Sequence, residues 1–204
     1  MPFTESEPYT GYTNGEYEVF MSKGVMHGRF KKYQNHEKFL SIFKKLEVEG
    51  VYNKGILHGA YTSYHTSGNR SLREFLREKI FHNHKHRYSY IWSYKFGKKH
   101  GEWKSFYKNR NKESIGSYNN GEKHGEWKGF YEDGNKSFKE KYKYGNKIGK
   151  HIEWWSNGKL KSTKRFVNGK GSGKFVWYCE RDGKLAQEYE YYKGFPVGNW
   201  VVYD

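Results

Sequence analysis

Glycine and aromatic positions recur along the chain with one period. The marker is a Gly-x-x-x-Gly pair, whose seven copies are Gly24 and Gly28, Gly55 and Gly59, Gly97 and Gly101, Gly121 and Gly125, Gly145 and Gly149, Gly169 and Gly173, and Gly194 and Gly198. The last five pairs follow one another in steps of 24, 24, 24 and 25 residues. A fixed period of this length predicts a repeat array in which each unit is one supersecondary motif. These regularly placed glycines are expected to lie in turns that need positive φ.

Aromatic residues keep fixed places relative to these glycines. Those two and five residues after the second glycine are predicted to stack as a structural ladder: Phe30, Tyr33, Tyr61, Tyr64, Trp103, Phe106, Trp127, Phe130, Trp154, Phe175, Tyr178, Trp200 and Tyr203. A further aromatic, such as Tyr118 or Tyr142, usually stands three residues before the first glycine. Positions two and five differ by an odd number, so strand alternation places them on opposite faces unless a bulge intervenes. We expect two partly covered faces, one packed and one lining an open groove.

Turn signals divide each repeat into two strands. The stretch "GEWKGFYE" runs into Asp133-Gly134, and the next strand ends before a second turn such as Asn120-Gly121 or Asn168-Gly169. Asn-Gly and Asp-Gly between such runs are strong hairpin signals. The predicted fold class is mostly β: an elongated, single, twisted antiparallel sheet of successive β-hairpins, each supported by its neighbours.

The period predicts the domain organisation. Residues 1–20 are expected to form a lead-in or capping strand, and residues 21–204 an array of about seven repeats. Wider steps between the early glycine pairs indicate insertions near residues 34–43 and 69–87. In the second insertion, Leu72, Phe75, Leu76 and Ile80 fit a short helix, with a long hairpin as the alternative.

Composition supports a β fold and points to anionic partners. Aromatic residues make up 20 % of the chain, whereas alanine occurs twice, which argues against a helical bundle. The net charge of +16 favours nucleic acid, acidic lipid or an acidic protein face as partner, or simply keeps an aromatic array soluble. One cysteine, Cys179, excludes an internal disulfide framework. With no predicted membrane span, we expect an intracellular, cytoplasmic protein, virion or membrane association being further options.

Candidate chemistry is sparse. His27, His58, His100 and His124 precede second glycines and are interpreted as structural turn residues. His82, His84 and His86 share one strand face and form a weak Zn or Ni candidate, because no carboxylate or cysteine stands nearby. Glu102, Glu126 and Glu153 recur with the repeat, whereas catalysis needs a singular constellation. We therefore predict no enzyme, no metal site and no cofactor.

Basic residues are the best candidates for partner binding. They recur in turns and on strand faces, at Lys98, Lys99, Lys104, Lys123, Lys128, Lys147, Lys150, Lys161, Lys164 and Arg165. Lysine among Trp and Tyr is typical of single-stranded nucleic-acid binding and of attachment to anionic lipid. The alternative is a solvated face without a partner.

The pattern "G-x-x-H-G-x-W-x-x-F-Y-x-x-G" resembles the MORN repeat (membrane occupation and recognition nexus) in its longer form of ~24 residues. The resemblance extends from about Gly24 to Asp204. It implies successive antiparallel hairpins in one elongated sheet and a binding role: scaffolding, membrane or phosphoinositide attachment, or, for bacterial proteins, an antitoxin. Giant viruses of amoebae also encode many such proteins.

Together these features predict a non-enzymatic scaffold. The expected partner is a protein, bound through an acidic face or by strand addition at an exposed sheet edge, with self-association through edge strands as a variant. For a large virus we expect a structural or assembly role. The alternatives are direct binding of anionic lipid or nucleic acid, and neutralisation of a toxin.

Overall fold

The computed structural model describes residues 8–13, 15–22, 25–34, 45–64 and 88–202. In these ranges every regular element is a β-strand. The strands are β1 (Pro8–Thr13), β2 (Gly15–Ser22), β3 (Val25–Gln34), β4 (Lys45–Asn53), β5 (Ile56–Leu57), β6 (Gly59–Tyr64), β7 (Tyr88–Lys95), β8 (Lys98–Phe106), β9 (Lys112–Asn119), β10 (Glu122–Phe130), β11 (Lys136–Lys143), β12 (Asn146–Lys147), β13 (Gly149–Trp154), β14 (Leu160–Val167), β15 (Lys170–Gly171), β16 (Gly173–Tyr178), β17 (Leu185–Tyr192) and β18 (Phe195–Val202).

The chain forms two compact units, residues 1–98 and 99–204. In the first unit, β1 to β4 pair in chain order, β4 pairs with β5 and β6, and β6 pairs with β7. In the second unit, β8 to β18 form antiparallel pairs in chain order, in which β12 and β13 act together as one broken strand and β15 and β16 as another. The predicted fold class, an open antiparallel sheet of successive β-hairpins, is confirmed.

Both predicted insertions lie almost entirely outside the described residues. Only Gln34, the last residue of β3, belongs to the first, and the proposed helix or hairpin at 69–87 is not described at all. Within residues 1–20, predicted as a lead-in or capping strand, the structure describes β1 and most of β2, which pair as a hairpin, and β2 continues to Ser22. The described part of the chain contains no helix with the length and apolar character needed to span a membrane.

At one end of each repeat from Gly55 onward, the chain reverses in a two-residue turn that contains the first glycine. Asn120 and Gly121 have φ values of 52° and 92°, which is the conformation of a type I′ turn. Phe96 and Tyr144 adopt the same positive φ without being Gly or Asn. The first glycine also donates its N–H to the preceding repeat, as Gly121 does to Lys99 O at 2.7 Å and Gly145 to Lys123 O at 2.9 Å. Each of these turns is therefore hydrogen-bonded to the repeat before it.

At the other end the reversal is longer. Tyr131 N donates to Asn135 O at 2.8 Å and Gly134 N donates to Tyr131 O at 2.9 Å. The Asp133 carboxylate accepts the Asn135 N–H at 2.8 Å, an arrangement that favours Asp or Asn at this place. Gly134 has a φ of 93°, which glycine adopts without strain. We call this reversal the Asx turn.

The second glycine of each pair belongs to a strand, so the prediction that places these glycines in turns is wrong for this half of the set. In the second unit, Gly101, Gly125 and Gly198 lie inside β8, β10 and β18, whereas Gly149 and Gly173 begin β13 and β16. Their φ values are nevertheless positive, 83° for Gly101 and 78° for Gly198. A Cβ added at either of these two positions would meet open space. The requirement for glycine therefore comes from the backbone conformation, and the first glycines Gly97, Gly121, Gly145, Gly169 and Gly194 are the ones that lie in turns.

The positive φ of a second glycine creates a bulge in its strand. On β10, His124 pairs with Ser117 of β9, but Lys128 pairs with Ile115. Residues 125–127 therefore face the single residue Gly116. Three residues opposite one make a larger bulge than the usual single insertion, and glycine at positive φ is common in bulges. This bulge brings the Trp127 ring onto the backbone of Gly116.

Strand alternation separates the residues of the second unit onto two faces. The ring face carries Trp127, Tyr142 and Phe175, with exposed fractions of 3 %, 7 % and 7 %. The charged face carries Lys150 and Arg165, both exposed. The most buried apolar side chains of this unit therefore pack along one side of the sheet.

Candidate functional site

A continuous series of rings runs along the ring face of the second unit. Successive centroid distances are 5.4 Å (Trp103–Tyr118), 5.2 Å (Tyr118–Trp127), 6.5 Å (Trp127–Tyr142), 6.0 Å (Tyr142–His151), 4.7 Å (His151–Phe166), 5.3 Å (Phe166–Phe175) and 4.4 Å (Phe175–Tyr191). These distances lie in the range of favourable aromatic pairs. The rings thus pack on one another and stabilise the sheet.

The first unit has its own shorter series of rings. Phe30 lies 4.8 Å from Tyr52 and 6.2 Å from Tyr61, measured between centroids. Tyr61 in turn lies 5.6 Å from Tyr94 and 4.6 Å from Trp92. In both units, aromatics two residues after the second glycine alternate with those three residues before the first glycine.

The aromatics five residues after the second glycine lie elsewhere. Because they stand three positions after the ring-face residues, an odd number, alternation places them on the charged face, where they are half-buried: Phe106, Phe130, Trp154 and Tyr178. In the first unit, Tyr33 and Tyr64 occupy this position, and Tyr64 OH donates to Glu49 Oε1 at 2.5 Å. The Trp200 side chain and Tyr203 lie outside the described residues.

The lysines of the ring face are covered by rings and carboxylates. Lys123 Nζ lies 4.3 Å from the Trp127 centroid and 5.0 Å from the Tyr142 centroid. Burial lowers the pKa of Lys123, and nearby Glu140 only partly opposes that effect. Lys99 lies 4.5 Å from the Trp103 centroid, and Lys147 lies 5.4 Å from that of Phe166. Such cation–π contacts support the sheet itself.

Glu140 is the centre of a polar cluster on the ring face. It accepts hydrogen bonds from Tyr142 OH at 2.7 Å and from Lys147 Nζ at 2.9 Å, and His151 Nδ1 lies 3.5 Å away. Burial, the largest single effect, raises the pKa of Glu140, but the contacts with His151, Tyr142 and Lys147 together hold it at about 2. Since 3.5 Å is long for a hydrogen bond, we attribute most of this effect to Tyr142 and Lys147. Burial and the Glu140 carboxylate raise the pKa of Tyr142 above its usual range.

Most other basic residues predicted to bind a partner are engaged within the chain. Lys104 pairs with Glu102 at 2.7 Å, Lys128 with Glu126 at 2.7 Å, and Lys164 with Glu153 at 3.2 Å. Hydrogen bonds from Lys128 and Lys139 hold the pKa of Glu126 at about 2. Lys161 Nζ lies 4.5 Å from the Trp155 ring centroid. In the described part of the chain, the members of that set whose side chains make neither an ion pair nor a cation–π contact are Lys98, Lys150 and Arg165.

Lys150 and Arg165 belong to a row of bases on the charged face. They face each other as register partners on β13 and β14. On the neighbouring strand β11, the Lys141 carbonyl accepts the N–H of Ile148, which places Lys141 beside the bulge that contains Lys150. We call Lys141, Lys150 and Arg165 the basic row; all three are exposed, and within the described ranges none has an ion-pair partner.

The sequence analysis missed Lys141, although the aligned repeats contain the signal. Two repeat positions supply this row: the residue after the second glycine and the residue four before the first glycine. The first position changes from Glu102 and Glu126 to Lys150, and the second from Ser117 to Lys141 and Arg165. At the position after the second glycine, the change from Glu in two repeats to Lys in the next marks where the charged face becomes basic.

The recurring histidines contact the following repeat. His58 and His124 pack against Phe96 and Tyr144, with ring centroids 5.6 and 5.4 Å apart, and His27 Nδ1 accepts the Lys54 N–H at 3.4 Å. In each case the partner immediately precedes a first glycine. Over the described ranges, no cluster of three His, Cys, Asp or Glu could hold a metal ion. His82, His84 and His86 lie outside those ranges.

The Asx turns are joined by hydrogen bonds that the sequence analysis did not predict. Tyr107 OH donates to Phe130 O at 2.8 Å, Tyr131 OH to Trp154 O at 2.7 Å, and Trp155 Nε1 to Tyr178 O at 3.1 Å. Each donor stands six residues after a second glycine and reaches the next repeat. A hydroxyl or indole N–H recurring at this period was the available signal.

No family model matches the sequence, and no curated protein matches it significantly. The MORN resemblance therefore stays a prediction based on the repeated residues.

Proposed function

We propose that this chain is a MORN-like, non-enzymatic scaffold that binds a protein partner through the charged face of its second unit. The observation that carries the proposal is the different use of cations on the two faces. On the ring face, Lys123 and Lys147 lie over aromatic rings of the chain. On the charged face, Lys150 and Arg165 stand opposite each other without a carboxylate between them.

The Lys150–Arg165 pair supports a binding role because like charges directly opposite each other destabilise a sheet. A carboxylate from another molecule would relieve this repulsion. Elsewhere on the same face the chain supplies its own acid, since Glu126 pairs with both Lys128 and Lys139. An acidic protein surface is thus the partner that the charge pattern favours, and particle assembly in a large virus would be one setting for it.

The non-enzymatic part of the proposal rests on the recurring glutamates. Glu102, Glu126 and Glu153 are each within 3.2 Å of a lysine Nζ. The Glu126 pKa of about 2 keeps this carboxylate ionised at neutral pH, which does not suit a general acid. These residues contribute to architecture in the proposed scaffold.

The turn edge of the second unit favours a second candidate, attachment to an anionic phospholipid membrane. Tyr144, in a first-glycine turn, is 57 % exposed, and Tyr192, at the end of β17 just before such a turn, is 61 % exposed. Lys143 Nζ lies 6.0 Å from the Tyr144 centroid, and Lys193 Nζ lies 5.1 Å from that of Tyr192. Exposed rings beside lysines suit the interface of an anionic bilayer.

Site-specific photo-crosslinking in cells of the native source tests both candidates. A photoreactive amino acid is placed at Thr163 on the charged face, at Tyr144 on the turn edge, or at Lys108 in an Asx turn as the background control. We expect protein adducts from Thr163 above the Lys108 background. Lipid adducts from Tyr144, with no protein adducts from Thr163, would replace the scaffold by membrane attachment. Nucleic-acid adducts from Thr163 would refute the scaffold.

A further inference from the structure

We propose that the basic row binds an extended acidic segment of a protein, whose carboxylates pair with Lys141, Lys150 and Arg165 while its apolar side chains cover the neighbouring rows of the charged face. This inference rests on the proposed function, and it names the site and the chemistry of the partner.

The basic row is bounded by acid on both sides. Glu126 is the register partner of Lys141 on one side. On the other side, Lys174 pairs in register with Glu190 and makes an ion pair with Glu188 at 3.1 Å. Within this row, the bases without an ion pair therefore span three strands.

This width decides between the anionic partners. Strands lie about 4.8 Å apart, so Lys141 and Arg165 are separated by about 10 Å across the sheet. An extended peptide presents side chains on one face every ~7 Å, so it places two carboxylates over the row. A polynucleotide or an anionic membrane surface would extend beyond the row to Glu126, Glu188 and Glu190, where carboxylates offset the positive charge and the attraction is weaker.

The residues beside the row add apolar contacts. Thr163 pairs in register with Ile152 on one side and Val176 on the other, and all three are half-buried. One step further toward the Asx turns, Trp154 pairs with Leu160 on the same face. A segment that combines Glu or Asp with Leu or Val fits this surface, because both kinds of side chain find a complementary row.

Each exposed ion pair is weak and screened by salt. Binding therefore depends on several pairs acting together with the apolar rows. We expect the affinity to fall steeply as the salt concentration rises. We also expect it to require both the acidic and the apolar side chains of the partner segment.

The test uses the full chain and a fluorescent peptide of alternating Glu and Leu, with binding followed by anisotropy. Lys150→Glu combined with Arg165→Glu should weaken binding by about tenfold or more. The matched control is Lys108→Glu with Lys136→Glu, which makes the same change in net charge at exposed residues of the Asx-turn end. This control should change affinity by less than about twofold. Far-UV circular dichroism confirms that each variant is folded.

Three results would overturn the inference. The first is that the peptide does not bind. The second is that both double variants weaken peptide binding equally. The third is that a single-stranded oligonucleotide of equal charge binds more tightly than the peptide and that its binding depends on Lys150 and Arg165. The proposed scaffold can survive any such result from the peptide. If Thr163 still crosslinks to protein when Lys150 and Arg165 are replaced by Glu, the scaffold stands and the basic row is not its acidic-segment site.

Discussion

Arg110 occupies a place where the equivalent turns have glycine. Its φ of 78° matches Gly134 at 93° and Gly158 at 82°, and its N–H makes the same bond, to Tyr107 O. A side chain at positive φ costs ~1–2 kcal/mol. Arg110→Gly should therefore stabilise the protein by about 1 kcal/mol in chemical denaturation. The reverse change, Gly134→Arg, should destabilise it by a similar amount, and a loss of stability in Arg110→Gly would contradict this explanation.

Gly116 is required by a neighbour rather than by its own φ. A Cβ at this position would lie 2.2 Å from the nearest ring atom of Trp127. Trp127 cannot easily move, because its Nε1 donates to Ser117 O at 3.1 Å. We predict that Gly116→Ala destabilises the fold by ~1–3 kcal/mol through overpacking, measured by thermal unfolding.

A double-mutant cycle separates this contact from a general loss of stability. In a Trp127→Ala background the three ring atoms nearest the added methyl group are absent, so Gly116→Ala should cost much less there. Additive effects of the two substitutions would show that the ring contact is not the cause.

At the scale of single elements, the cluster around Glu140 makes stability depend on pH. The folded pKa of Glu140, about 2, lies below its ordinary value of 4.5. The stabilisation of the fold by the ionised Glu140 carboxylate is therefore complete above pH 4.5 and is lost as the pH falls towards 2. Glu140→Gln should cost about 2 kcal/mol at neutral pH, after allowance for solvent screening, and almost nothing near pH 2.

Denaturation across this pH range measures that difference. Glu132→Gln, at an exposed residue of an Asx turn, is the matched control and should leave the curve unchanged. A constant gap between wild type and Glu140→Gln over the whole range would refute the pH-dependent role.

The Asx turns should contribute to folding stability through their hydrogen bonds to the next repeat. Tyr131→Phe removes the hydroxyl that donates to Trp154 O at 2.7 Å and keeps the ring. We expect a loss of about 1 kcal/mol, the usual net value of one hydrogen bond. Amide hydrogen exchange should also show faster opening around 154–159, and unchanged exchange there would argue against a link between repeats.

The sequence predicts hairpins well because these reversals need positive φ, which Asn120, Gly121 and Gly134 adopt at little cost. It does not separate the roles of the two glycines in a pair, since both have positive φ, and only strand pairing shows that Gly125 forms a bulge. Nor does it tell an engaged lysine from an available one. Lys123 and Lys150 look alike in sequence, but Lys123 faces Trp127 and Lys150 faces Arg165.

At the scale of the whole molecule, one 24-residue repeat can be removed without changing the strand register of the others. Deleting residues 122–145 joins Gly121 to Asn146 and removes one strand pair with both of its turns. Since stability of a repeat array is approximately a sum over neighbours, this variant should fold with lower stability. Deleting residues 122–133 removes one strand, reverses the direction of the following chain and should prevent folding. Circular dichroism and unfolding curves of the two variants test this difference, and equal behaviour would refute the additive description.

The attachment of each first-glycine turn to the unit before it has a consequence for how such a gene changes. Gly121, Gly145 and Gly169 donate to backbone carbonyls, and a carbonyl is present whatever side chain stands there. A duplication or deletion of the DNA that encodes one repeat therefore brings two repeats together that can form the same turn-to-backbone hydrogen bond. The length of the array can then change in single events, whereas substitutions on the charged face change its charge without changing its length.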